Sequence, residues 1–218
     1  MVFVLGLIVT SCERYATEVR NLQRSEIGEV QEAFDARKQV GSSTMAQKKN
    51  PMLSENVSGL ARVVRSYLTP QMESMVLWHE RDLSNSSAER FIIPHVAVLT
   101  DDILFKMTDV LRNLVVNEDR MLRNISSAGG FIMAESALLA LASRGMGRQE
   151  AHELVRQAAI LAEEQGKDLR AALSENKEVM ALMSEEELDA VMDPTSYLGA
   201  APELTDQVVE QARKVLGK

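Results

Sequence analysis

The chain has 218 residues and a net charge of -8 at pH 7, and 45% of its residues are hydrophobic. This length allows a sizeable core in one or two domains, whereas the acidic balance argues against a general surface for nucleic acids or anionic membranes, which requires a basic face. The single cysteine, Cys12, excludes an internal disulfide and fits a reducing compartment such as the cytoplasm.

The first element predicted along the chain is a long helix over residues 1–24. Apolar residues recur there at spacings of three and four, which is the pattern of one helix stripe. The stripe consists of Leu5, Ile8, Cys12, Tyr15, Val19 and Leu22. The segment resembles a lipoprotein signal, but no basic residues precede its apolar run, and the run is too short to span a bilayer. We therefore expect an internal helix of a bundle.

Residues 41–51, Gly-Ser-Ser-Thr-Met-Ala-Gln-Lys-Lys-Asn-Pro, bring hydroxyls, two cations and a carboxamide into one loop. Gly41 permits backbone angles that other residues avoid. Asn50 before Pro51 is typical of an N-cap followed by proline in the first helical turn. The segment therefore indicates anion chemistry in a loop that leads into a helix.

This loop resembles the signature of the fumarase/aspartase superfamily, Gly-Ser-Ser-x-Met-Pro-x-Lys-x-Asn-Pro. Ala46 stands where the family has proline, which changes the rigidity of the loop more than its chemistry. The resemblance implies that Ser42 is the general base of a β-elimination. An isolated serine hydroxyl is too weakly acidic for this role, so we expect Lys48, Lys49 and the amino end of the helix after Pro51 to supply positive potential.

The same resemblance assigns the neighbouring residues. Lys48 and Asn50 are the natural donors to the succinyl carboxylate, where charge grows in the transition state, and Ser43 is implied in substrate binding beside them. Glu55 matches a family glutamate that orients the histidine of the acid partner. The alternatives are loop solubility and helix capping, and for Glu55 a surface acid near a helix amino end.

Residues 78–90, Trp-His-Glu-Arg-Asp-Leu-Ser-Asn-Ser-Ser-Ala-Glu-Arg, look like the nucleotide-binding segment of the adenylosuccinate lyase family. In that family an arginine, a serine and a second arginine hold the adenylate phosphate, and here these positions are Arg81, Ser86 and Arg90. Guanidinium groups suit the task because their planar donors meet phosphate oxygens in pairs. Without the preceding loop, the segment would be interpreted as a solvated loop between two helices. Asn85 stands where family members often have histidine.

The rest of the chain also has helical periodicity. One helix continues after Pro51 and another after Pro94, and no strand-like alternation competes with them. Their apolar residues are Leu60, Val63, Val64 and Leu68 in the first and Leu104, Met107, Leu111 and Leu114 in the second. A linker helix is expected around residues 115–125, Gly129 and Gly130 break the pattern, Ser184 to Glu187 resembles a capping box, and Asp193 before Pro194 stops a helix.

We therefore predict an all-α protein, part of a long helical bundle followed by a small all-helical carboxy-terminal domain. Residues 1–120 are expected to form the carboxy-terminal part of the family's central bundle domain, and residues 121–218 the small domain. The resemblance covers nearly the whole chain but only the latter half of the family's usual length.

The resemblance implies a carbon-nitrogen lyase of purine and AMP biosynthesis that works without a metal or cofactor. It would release fumarate from adenylosuccinate, giving AMP, and from the succinylated carboxamide ribotide SAICAR, giving AICAR. The resemblance also implies a homotetramer with active sites shared among three chains. Two alternatives stay open: a noncatalytic helical oligomerisation fragment, and another fumarate-releasing lyase such as argininosuccinate lyase.

The general acid is missing from the predicted site. Histidine suits protonation of the leaving amine because its ordinary pKa is about 6.5, and the family places that histidine upstream of the serine loop. His79, His95 and His152 are the histidines of this chain, and none matches the family position. We therefore expect these 218 residues by themselves not to cleave adenylosuccinate.

Overall fold

The computed structural model describes residues 1–33, 45 and 48–217, which are mostly helical. The predicted all-α class is confirmed. The chain divides into two units, Met1–Met121 and Leu122–Lys218. We describe each unit by itself.

The first unit is built on three long helices, α1 (Val2–Leu22), α2 (Met52–Ser66) and α4 (Ser84–Arg112), with the short α3 (Leu68–Glu73) after α2. Each long helix packs against the other two. Two strands of two residues, β1 (Val30–Gln31) and β2 (Val115–Val116), pair antiparallel. The helix α5 (Glu118–Ser127) follows β2. The sequence did not predict the strands, because two residues are too short for alternation to be recognised.

The core of this unit is made of small and β-branched side chains. Ala16 and Ala61 are fully buried, which lets helix backbones approach closely, and Val9, Val57 and Val64 fill the space around them. Cys12 belongs to the same cluster, and burial raises the pKa of its thiol. The thiol is therefore a protonated core group at neutral pH.

The predicted stripes were only partly right. On α1, Cys12 and Val19 are buried as expected, but Tyr15 is exposed, and the buried face runs instead through the smaller residues Gly6 and Ala16. On α4, Met107 is buried whereas Leu104 and Leu111 are exposed. Large apolar residues dominated the sequence pattern, although close helix packing selects small ones.

Two predicted boundaries were wrong. Pro94 does not open a helix, because α4 begins ten residues earlier at Ser84 and continues through the proline. The N-cap of α2 was predicted at Asn50, but α2 begins at Met52 with Pro51 at the N-cap position, and the Pro51 side chain makes no capping hydrogen bond. The linker helix predicted around residues 115–125 corresponds to α5, which begins at Glu118 because Val115 and Val116 are in β2 and ends at Ser127.

The second unit contains five further helices, α6 (Ala134–Ser143), α7 (Arg148–Gln165), α8 (Leu169–Ser174), α9 (Lys177–Leu182) and α10 (Glu185–Met192), and the terminal α11 (Ala201–Leu216). Gly129 and Gly130 have the left-handed φ values that favour glycine and precede this helical array. The capping box at Ser184 and the helix end before Pro194 are confirmed. Leu141, Leu169, Leu173 and Leu188 form its core.

Candidate functional site

A cleft of about 810 Å³ lies at the amino end of α2. Three of the predicted site residues, Lys48, Asn50 and Glu55, line it together. Arg20 and Arg24 of α1 line it as well, so the described wall contains more cations than acids. Such a surface attracts anions, and the sequence interpretation did not assign these two arginines a role, although they precede the loop in the chain.

The position of α2 relative to α1 is fixed by polar contacts. Arg20 donates from a guanidinium nitrogen to the hydroxyl of Ser58 at 3.2 Å, and the Ser58 hydroxyl donates to the Ser54 carbonyl at 2.9 Å. Ser54 and Ser58 are buried on α2. The cleft therefore has a wall made of two helices in contact.

The amino end of α2 is capped by a residue that the sequence did not single out. The carboxylate of Glu32 accepts hydrogen bonds from the backbone N–H of Ser54 at 2.7 Å and of Leu53 at 3.2 Å. Glu32 is only 6% exposed. A carboxylate thus already occupies two of the backbone donors at this helix end and offsets their partial positive charge.

Gln23, near the end of α1, bridges two backbone segments. Its side-chain oxygen accepts from the backbone N–H of Glu32 at 2.9 Å, and its side-chain nitrogen donates to the carbonyl of Lys49 at 3.2 Å. Gln23 also lines the cleft. Ser42 and Ser43, the predicted base and its neighbour, lie outside the described residues.

The predicted phosphate-binding residues lie on a different part of the first unit. Arg81 is in the segment between α3 and α4, and Ser86 and Arg90 are one helical turn apart at the start of α4. Both arginines are exposed. None of the three belongs to the described wall of the cleft at Lys48.

Asp82 organises the segment that carries Arg81. Its carboxylate accepts from the backbone N–H of Trp78 at 2.8 Å, from that of Ser84 at 2.8 Å, and from the Ser84 hydroxyl at 2.5 Å. The Ser84 hydroxyl is the largest cause of a lowered Asp82 pKa, with the two backbone donors adding to it. His79, inside this turn, has a φ of 46°, an uncommon value for a residue other than glycine.

The cleft residues at Lys48 and the predicted phosphate-binding residues lie at opposite ends of α2. Near its beginning, Asn56 contacts Lys106 of α4 at 2.6 Å, and just past its end Tyr67 contacts Nδ1 of His95 at 2.7 Å. α4 therefore runs antiparallel to α2, and the end of α4 that carries Ser86 and Arg90 lies beside the end of α2 that is remote from Lys48. The 15 residues of α2 span about 22 Å at 1.5 Å per residue.

No histidine lies in the described wall of the cleft at Lys48. His79 is exposed before Arg81, His95 contacts Tyr67, and His152 is exposed on α7 of the second unit. His95 lies in the middle part of α4, one residue after Pro94. The described residues therefore supply no histidine beside Lys48 for the general-acid role that the family resemblance implies.

Comparison with known proteins gives a consistent result over both units. Residues 1–66 match the family model described as Lyase, and residues 130–208 match the model described as Adenylosuccinate lyase C-terminus. The chain is 47% identical over 215 residues to the adenylosuccinate lyase of Methanothermobacter thermautotrophicus, covering 99% of this chain and 48% of that protein. For the adenylosuccinate lyase of Pyrococcus abyssi the identity is 45%, covering 99% and 47%. The chain thus spans about half the length of the curated relatives it matches.

Solved structures share the fold. A 3-carboxy-cis,cis-muconate lactonizing enzyme from Pseudomonas putida superposes with a TM-score of 0.88 at 31% identity, covering 98% of this chain and 46% of that chain. A fumarate lyase from Mesorhizobium gives a TM-score of 0.85 at 30% identity, covering 96% and 45%. Among the described residues no single helix is long and apolar enough to cross a membrane, although one bent pair, Glu118–Ser127 with Phe131–Ser143, meets the length and composition test jointly.

Proposed function

Because the chain belongs to the adenylosuccinate lyase family of the fumarase/aspartase superfamily, we propose that it contributes to a site that cleaves adenylosuccinate to AMP and fumarate, and SAICAR to AICAR and fumarate. The observation that carries this proposal is the cleft in which Lys48, Asn50 and Glu55 meet beside two arginines. The site would serve purine biosynthesis in the cytoplasm.

The proposed reaction assigns each group a step. Ser42 removes a proton from the carbon next to a succinyl carboxylate, and Lys48 and Asn50 stabilise the charge that grows on that carboxylate. The electron pair then forms the double bond of fumarate while the carbon-nitrogen bond breaks. A general acid protonates the departing amine. Glu55 orients that acid. We assign the acid to a histidine other than those of these 218 residues, because none of them matches the family position.

Arg81, Ser86 and Arg90 are proposed to bind the phosphate of the nucleotide. Their place at the far end of α2 from Lys48 supports a site assembled from several copies of the chain, because one substrate cannot contact both groups across about 22 Å of helix. A homotetramer with shared sites meets this requirement.

The first test uses the protein expressed from its entire gene. Wild-type protein should release fumarate from adenylosuccinate, measured by absorbance, and not from argininosuccinate. Ser42→Ala should lower turnover by about 100-fold to 10,000-fold, as for loss of a positioned base, while adenylosuccinate still binds. Ser127→Ala, on α5, is the control for removal of a hydroxyl. Near-normal turnover by Ser42→Ala would remove Ser42 from the mechanism.

A second test addresses the shared site. Ser42→Ala and Arg90→Ala should each be nearly inactive alone. If the two residues of one site come from different subunits, mixing and reassociating the two variants should restore part of the activity, because some sites then contain both native residues. Absence of any recovery in verified mixed oligomers would contradict sharing.

A further inference from the structure

Two chain segments that flank residues 34–44 are tied together by the side chain of Glu32. The Glu32 carboxylate lies before that interval, and the N–H groups that it accepts from, those of Leu53 and Ser54, lie after it. The carboxylate is nearly completely buried. Hydrogen bonds from backbone N–H to a buried carboxylate are stronger than those between neutral groups, so this contact fixes the start of α2 against the Glu32 segment.

Gln23 adds a second tie between the same two segments. It accepts from Glu32 N–H and donates to the Lys49 carbonyl, so one side chain at the C-cap position of α1 contacts the backbone both before and after residues 34–44. Lys49 stands between Lys48 and Asn50 in the chain. A shift of the Lys49 backbone would therefore move both proposed carboxylate donors.

We propose that Glu32 and Gln23 act as a clasp that positions Lys48 and Asn50 for the succinyl carboxylate. This inference rests on the proposed function for the identity of the ligand. Both are positioning residues, since Glu32 acts through the α2 backbone and Gln23 through the Lys49 carbonyl. A displacement of about 1 Å of binding groups can lower a rate by about 100-fold.

The clasp makes a selective prediction for ligand binding. Gln23→Ala and Glu32→Gln should weaken fumarate binding by about tenfold or more, because fumarate needs the donors that the clasp positions. AMP binding should change by less than about twofold, because Arg81, Ser86 and Arg90 lie at the other end of α2. The limit for fumarate follows from the loss of two neutral hydrogen bonds in Gln23→Ala and of the charge on the acceptor of two hydrogen bonds in Glu32→Gln. Calorimetry with fumarate and with AMP, on protein expressed from its entire gene, measures both.

Matched controls distinguish positioning from general stability. Asp168→Asn makes the same carboxylate-to-amide change at the start of α8, where Asp168 accepts from the N–H of Ala171 at 2.7 Å. Gln157→Ala removes a glutamine whose side chain donates to Glu153 at 2.8 Å on α7. Both controls should bind fumarate and AMP as the wild type does.

Amide hydrogen exchange tests the clasp without any ligand. In Glu32→Gln, the peptide that contains Leu53 and Ser54 should exchange about tenfold faster than in the wild type, and in Asp168→Asn it should not. Unchanged exchange there would overturn the clasp. Equal weakening of fumarate and AMP binding would also overturn it, because that pattern indicates loss of folding.

Failure of the proposed function would look different. If wild-type protein releases no fumarate from adenylosuccinate, the substrate assignment is wrong, while faster exchange at Leu53 and Ser54 in Glu32→Gln would still support the tie between the two segments. If the wild type is active and both clasp variants keep wild-type fumarate affinity, the positioning role is wrong and the proposed function stands.

Discussion

Arg90 tests the proposed phosphate contact at the level of one side chain. Arg90→Lys keeps the positive charge but loses the planar, paired donors of the guanidinium. We expect AMP affinity to fall by about tenfold or more, while fumarate affinity stays within about twofold. Calorimetry with each ligand measures the difference, and Arg112→Lys, at the exposed end of α4, is the matched control. Equal losses for both ligands would indicate unfolding or a different substrate.

Asp82 gives a prediction for pH. Because its hydrogen bonds to Ser84 and Trp78 lower its pKa, the charged form is favoured in the folded segment. The stabilisation is therefore complete above the unfolded carboxyl pKa, about 3.9, and is lost as the pH falls through the lower folded value. Trp78 is the only tryptophan of the chain and is 78% exposed in this segment. Its fluorescence should report that transition.

The comparison variant is Asp82→Asn, whose Trp78 emission should differ from the wild type at pH 7 and lack the acid transition. Circular dichroism over the same pH range shows whether the helices remain folded. A wild-type emission that does not change until the helices unfold would contradict the role of Asp82 in ordering the Arg81 segment.

At the scale of one element, the capping box of α10 is directly testable. Ser184 accepts from the Glu187 N–H at 3.2 Å, and the Glu187 carboxylate accepts from the Ser184 N–H at 2.8 Å. Ser184→Ala should lower the free energy of unfolding by about 1 kcal/mol, seen as a lower urea midpoint. Ser143→Ala, whose hydroxyl contacts the Ala140 carbonyl at the end of α6, should change it less. Equal midpoints for both variants would contradict the cap.

The helices themselves could be predicted from the sequence because their periodicity and stop signals are local. Ser184 and Pro194 mark their boundaries by short-range chemistry, so those boundaries were correct. Pro94 led to a wrong helix boundary, because proline usually opens or ends a helix. In the structure α4 continues through Pro94, and Ile92 and Val96 on either side of it are buried. The β1 and β2 pair depends on residues 30 and 116 meeting through the tertiary fold, which no local pattern encodes.

Prediction of the site had the same limit. The signature residues Lys48, Asn50 and Glu55 could be found because they are close in sequence, and the structure places them in one cleft. Glu32 could not be found, because a lone glutamate outside the motif has no distinctive pattern. Its contact with Leu53 and Ser54 spans about 20 residues of chain. The only sequence feature that pointed to Glu32 was its position shortly before the signature loop, and this feature alone does not predict a contact.

At the scale of the whole molecule, we expect the 218 residues alone to associate without releasing fumarate. Phe91, Val98 and Phe105 recur every seven residues along α4 and are 65%, 67% and 74% exposed in one chain. An apolar stripe of this kind favours association, whereas elimination lacks its acid. Sedimentation and a fumarate assay measure both. Phe105→Glu should weaken association with helix content unchanged, and robust turnover by this chain alone would show that one of its histidines is the acid.

The buried thiol of Cys12 gives the first unit a built-in reporter of its own opening. It is the only cysteine in the chain, its environment keeps it protonated, and the second unit has no thiol to compete. A disulfide reagent reaches this buried sulfur when α1 separates from its neighbours, so under conditions where reclosing is faster than labelling, the labelling rate reports the population of that separated state. Local opening around α1 can thus be followed by thiol labelling of the unmodified protein, and the second unit contributes no labelling of its own.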